Sequence, residues 1–195
     1  MSNELSVAAV ILAGGEGRRM DGEDKGLVHF QQRPMISWTL DKISPLVNEV
    51  LISCNRNYDQ YESFGVGVVC DQKTGFLGPL AGVQAALNEL SARHTHLLIL
   101  PCDTPLVSDH LLRRLIQQSL ESPQDIIYLN EVGRAHFLHA IIPTQYADNL
   151  NASLDQGVRA VYRWYKQYPI TEIDTSPYAH TLININQLSQ LEGTA

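Results

Sequence analysis

Near its start the chain reads Val7-Ala8-Ala9-Val10-Ile11-Leu12-Ala13-Gly14-Gly15-Glu16-Gly17-Arg18-Arg19-Met20, and Asp24-Lys25-Gly26 follows after three residues. The apolar run reads as a buried strand. It delivers three glycines within four residues, then cations. Glycines let backbone N–H groups approach an anion closely, and Arg18, Arg19 and Lys25 can neutralise it, so the order suits a strand feeding a polyphosphate. The simpler reading is a tight strand-to-helix turn with exposed arginines, but three glycines and three cations within twelve residues exceed what a turn needs. The wording excludes two commoner phosphate loops. No Gly-Lys-Ser/Thr is present, and Met20 stands where G-x-G-x-x-G would place its third glycine.

Outward from this stretch, short apolar runs alternate with helical patterns. Residues 7–13, 47–54, 66–70 and 96–101 read as strands, with further candidates at 125–129, 135–143 and 170–173 and a short last one at 181–185. Helical periodicity covers 34–43, 79–90, 108–120, 144–154 and 156–167, with Pro34 and Pro79 at first-turn positions and Ser108 and Thr144 as N-caps. Continuous apolar strands such as Leu97-Leu98-Ile99-Leu100 suit a parallel sheet covered on both faces. The expected fold is therefore α/β: a three-layer αβα, Rossmann-like domain spanning 1–195, mainly parallel, with one antiparallel strand around 135–143. Ligands in such sheets bind beyond the carboxyl ends of the strands. Gly14, Asn55, Asp71 and Asp103 all fall there.

Composition narrows the class. The 195 residues carry 21 acidic and 14 basic side chains, a net charge of −7, which disfavours a general nucleic-acid binder but leaves room for a small phosphorylated substrate at the local cation cluster. Cys54, Cys70 and Cys102 are odd in number and widely spaced, as expected of reduced thiols. No segment approaches a membrane span and no signal-type stretch opens the chain, so a soluble cytoplasmic protein without a membrane partner is expected.

Asp103 lies in Leu100-Pro101-Cys102-Asp103-Thr104-Pro105. It could cap the following helix, or the flanking prolines could aim its carboxylate at a Mg²⁺ ion. Asp71 could start an Asx-turn or contact a nucleotide, and Gly78-Pro79-Leu80-Ala81-Gly82 makes a rigid helix entry with free N–H groups. The seven histidines show no usual metal spacing, and Trp164 with Tyr162, Tyr165 and Tyr168 reads as core packing. Asn184-Ile185-Asn186 could cap a helix or assist at a metal site.

Assembled, these motifs resemble the molybdenum cofactor guanylyltransferases, the MobA family of nucleotidyltransferases, whose opening signature is L-A-G-G-x-x-x-R-M-G-x-x-D-K-G. The G-P-L-A-G and P-C-D-T-P stretches and the closing N-x-N appear in the family's order. The resemblance implies backbone contacts to GTP from Leu12, Ala13, Gly14 and Gly15, and a nucleotide site that includes Lys25, Asn55, Asp71, Gly82 and Asp103. It implies Mg²⁺ on Asp103, with Lys25, Asp103 and Arg19 as the catalytic set. The implied reaction joins the GMP part of GTP to Mo-molybdopterin and releases pyrophosphate. Contacts with a molybdopterin-donating protein and with acceptor apoenzymes would follow. A cytidylyl- or sugar-phosphate nucleotidyltransferase, or a nucleotide-binding accessory domain without turnover, are the alternatives. Three departures stand out: Asp21 replaces the signature glycine, Ser53 stands where many members have asparagine, and His136-Phe137-Leu138 replaces a His-Pro pair.

Overall fold

The computed structural model describes residues 5–14, 23–71 and 78–185. Its centre is a seven-stranded sheet in the order β5-β4-β1-β6-β8-β7-β9. These strands are β1 (Val7–Leu12), β4 (Glu49–Ser53), β5 (Gly67–Val69), β6 (His96–Pro101), β7 (Ile126–Glu131), β8 (Arg134–Pro143) and β9 (Ile170–Asp174). A separate hairpin pairs β2 (His29–Phe30) with β3 (Arg33–Pro34). Strand β8 runs antiparallel to both β6 and β7, whereas the other sheet pairings are parallel. The expected antiparallel member is thus β8.

Alternation along each strand splits the core into two layers. Val7, Ala9 and Ile11 of β1, with Leu98 and Leu100 of β6, pack against α1 (Met35–Ile43) and α4 (Asp109–Glu121). Ala8, Val10 and Leu12, with Leu97 and Ile99, face α3 (Pro79–Leu90), α5 (Ala147–Asp155) and α6 (Val161–Tyr165). This is the three-layer arrangement that the apolar runs implied. Trp164 and Tyr165 are fully enclosed in the second layer, as the core-packing reading required, but Tyr168 is only partly buried and Tyr162 is exposed, so the reading holds for two of its four rings.

Four expectations change. Residues 181–185 form no strand: a 3₁₀ turn, Ser176–Thr181, leads into an irregular segment pinned by Ile185 N–H donating to the Asp103 carbonyl (2.8 Å). The helix expected over 156–167 shrinks to α6, because Gly157 takes a left-handed φ of 86° and ends α5. Ser108 caps α4, its hydroxyl accepting from His110 N–H, but the Thr144 hydroxyl donates to the His94 carbonyl (2.6 Å) instead of capping. The pattern also concealed the β2–β3 hairpin and a short helix α2 (Tyr58–Glu62), whose Tyr61 reaches Asp24. Among the described residues, no helix is long and apolar enough to cross a membrane.

Candidate nucleotidyl-transfer site

The carboxyl ends of β5, β4, β1 and β6 stand side by side and carry Asp71, Asn55, Gly14 and Asp103 in that order. Three strand spacings separate the first from the last, about 14 Å of sheet edge. Two clusters divide this edge.

The first joins Gly14, Asn55 and Asp71. The Asn55 amide donates to Asp71 Oδ2 at 2.9 Å, and its carbonyl oxygen accepts the Asp71 N–H at 3.1 Å. A methyl at Gly14 would come to 3.3 Å from the Asn55 amide nitrogen, so glycine keeps this corner open. Burial raises the Asp71 carboxyl above its usual range, and the hydrogen bond from Asn55 opposes that shift. Leu12 and Ala13 are buried. Their backbones are tied in, with Ala13 N–H donating to the Ser53 carbonyl (2.8 Å) and Cys102 N–H donating to the Leu12 carbonyl (3.1 Å).

The second cluster is charged. Lys25 Nζ lies 3.0 Å from Asp103 Oδ2, and the Asn184 amide approaches both Asp103 oxygens at 3.3 Å. The turn bearing Asp103 is held from behind. The Thr104 hydroxyl sits 2.8 Å from Nε2 of His139, and Lys42 Nζ donates to the carbonyls of Pro105 (3.0 Å) and Val107 (2.7 Å). Burial drives the His139 pKa down to about 3, with the neighbouring His136 adding to the shift. His139 is therefore a neutral structural base. Among the described residues, no three His, Cys, Asp or Glu side chains form a group that could hold a metal ion.

Of the residues read from the sequence, Leu12, Ala13, Gly14, Lys25, Asn55, Asp71, Gly82 and Asp103 lie on or beneath this edge. Gly15, Arg19, Asp21 and Asn186 lie outside the described residues. Gly82 has a clear packing reason: a side chain there would strike the Ser53 hydroxyl and press on Leu12, so the glycine lets α3 close onto the ends of β1 and β4. Ser53 is correspondingly buried under α3, and Asn55 is the amide that faces the open edge. The motif reading missed Asp24, a carboxylate only 7% exposed, and its partner Tyr61. Asp24 sits inside the quoted Asp-Lys-Gly, but only α2 explains its burial.

Comparison with known proteins fits this geometry. Residues 9–169 match the model of the MobA-like NTP transferase domain. A molybdenum cofactor guanylyltransferase from Shewanella sediminis is 38% identical over 95% of this chain and 94% of its own length. The corresponding protein of Shewanella halifaxensis is 37% identical over 97% and 94%. Among solved structures, the molybdopterin-guanine dinucleotide biosynthesis protein A of Archaeoglobus fulgidus superposes with a TM-score of 0.76 at 24% identity, covering 95% of both chains. The 4-diphosphocytidyl-2C-methyl-D-erythritol synthase of Anaerococcus prevotii shares the fold at 0.72 and 12%, covering 96% of this chain and 93% of its own. The protein is thus a nucleotidyltransferase, and the chain belongs to the MobA-like NTP transferase family.

Proposed function

We propose that this enzyme transfers the GMP part of GTP to the phosphate of Mo-molybdopterin, forming the guanine dinucleotide and releasing pyrophosphate. The Lys25–Asp103–Asn184 cluster carries the reading, because it brings a cation and a carboxylate together at the end of β6, the strand beside β1 and its Gly14. The curated relatives' names supply the substrates. The guanine end would lie over Gly14, Asn55 and Asp71, and the triphosphate would run toward Lys25.

Asp103 fits a divalent ion. Its carboxylate already attracts a cationic partner in Lys25, and a single carboxylate suffices for Mg²⁺, which keeps waters and takes its other ligands from phosphates; the N–H donation from Asn184 would give way to the ion. Bound there, Mg²⁺ would neutralise charge on the phosphates. An acceptor phosphate oxygen forms the new bond to the α-phosphorus as the bond to pyrophosphate breaks, so no general base is required of the protein. Lys25 and, in this reading, Arg19 offset the charge that builds on the phosphates. The exposed free thiol of Cys70 suits a reducing, cytoplasmic setting, where handover from a molybdopterin donor and onward to apoenzymes would occur.

The test incubates the protein with Mo-molybdopterin and Mg²⁺ and follows pyrophosphate and dinucleotide. GTP should support turnover and CTP and UTP should not. Preferred use of CTP would overturn the assignment, and GTP binding without dinucleotide would point to an accessory domain.

A further inference from the structure

Asp24 presents an unusual arrangement directly beside Lys25. Its carboxylate is buried under α2, where the Tyr61 hydroxyl donates to Oδ1 at 2.5 Å and the Asn57 amide donates to Oδ2 at 3.1 Å. Arg56 Nε lies 3.4 Å from the same Oδ2, and the Arg56 guanidinium also donates to the Glu23 carbonyl at 2.8 Å. The Asp24 carbonyl in turn accepts from Leu27 N–H (2.9 Å) and Val28 N–H (3.1 Å). A buried carboxylate is tolerated only when it is paired, so this network is costly to disturb.

Two backbone features serve the network. Asn57 adopts a left-handed φ of 55°, which starts α2 and brings its amide to Asp24. Gly26 has no room for a side chain. A methyl there would strike the Tyr61 hydroxyl and lie 3.2 Å from two of its ring carbons. Gly26 therefore follows Lys25 because Tyr61 must pass that position to reach Asp24. The Gly26 carbonyl also accepts from Ile36 N–H (3.0 Å), tying the same turn to the start of α1.

From this we infer that Asp24 and Tyr61 are positioning residues that fix the backbone of Lys25, so that its ammonium meets Asp103 and the nucleotide phosphates. The inference rests on the proposed function only in taking Lys25 as a group that assists transfer. It assigns separate duties within Asp24-Lys25-Gly26: an inward anchor, an outward cation, and the gap through which the anchor is reached. The network also spans both halves of the site, since Arg56 and Asn57 directly follow Asn55 of the nucleotide cluster.

A double-mutant cycle on guanylyl transfer tests it. Tyr61→Phe should lower kcat about 10-fold, because small misplacements of a catalytic group cost that much or more. In a Lys25→Ala background the same change should lower kcat less than twofold, as the positioned group is gone. Gly26→Ala, which displaces Tyr61 without touching Asp24, should reproduce the Tyr61→Phe loss. Asp24→Asn supplies a third variant should either fail to fold, with far-UV circular dichroism and melting checked for each. Equal losses from Tyr61→Phe in both backgrounds would mean a merely structural role and overturn the inference. A Lys25→Ala protein with wild-type kcat would overturn the catalytic role of Lys25 and the inference with it, whereas wild-type protein that forms no dinucleotide from GTP would overturn the functional reading itself.

Discussion

The two halves of the site are built differently. On the β4–β5 side, Asn55 and Asp71 meet through hydrogen bonds at the surface, beside a corner that Gly14 keeps open. On the β6 side, Lys25 and Asp103 are each buttressed by polar groups: buried Asp24 and Tyr61 beneath one, buried Thr104 and His139 with half-buried Lys42 beneath the other. A base is recognised by hydrogen bonds that can adjust on binding. Charges that must stabilise a transition state are useful only if already in place, and the heavier scaffold stands where that requirement falls.

The largest expected effect breaks the charged half. Asp103→Ala should lower kcat for guanylyl transfer by about 10³-fold or more, the scale of removing a principal charge-stabilising group. Isothermal titration with GTP, run on the same protein, should still show binding through the other half. Next in size is the boundary between the halves. Gly82→Ala pushes α3 off Ser53 and Leu12 and should cost about 1–3 kcal/mol in chemical denaturation, as overpacking does. Adding Ser53→Ala should restore part of that loss.

Per pH unit, the scaffold's acid response is smaller. His139 stays neutral in the folded protein down to about pH 3, whereas the unfolded chain takes up that proton near 6.5. Below about 6.5 the unfolded state thus binds more protons, and stability falls as pH drops, by up to about 1.4 kcal/mol per unit from this residue. Above pH 7 His139 contributes no slope. Urea denaturation between pH 4 and 7 should show the trend, and His139→Gln should flatten it. Burial depresses His96 and His136 in the same direction, so some slope will remain.

Much of this division was legible in the sequence. The apolar runs fixed which strands would lie parallel, and polar residues at their ends marked Gly14, Asn55, Asp71 and Asp103 in advance. The buttresses were not legible. Tyr61 is 37 residues from Asp24 and reaches it through a five-residue helix too short for a periodic signal. His139 likewise meets Thr104 from an antiparallel strand 35 residues away. Such pairings depend on register and on the β8 reversal, which local patterns do not encode. The strand expected over 181–185 failed for a related reason: its apolar residues serve separate contacts, with Leu182 in the main core and Ile185 packed with Phe30 and Met35.

The division of labour itself is most directly tested by steady-state kinetics on two variants measured side by side with GTP as the varied substrate. Asn55→Ala should raise KM about 10-fold, the worth of one or two hydrogen bonds, with kcat nearly unchanged. Lys25→Ala should lower kcat about 10²-fold or more while KM moves little. The reverse split, with Asn55→Ala reducing turnover and Lys25→Ala only weakening GTP binding, would contradict the account.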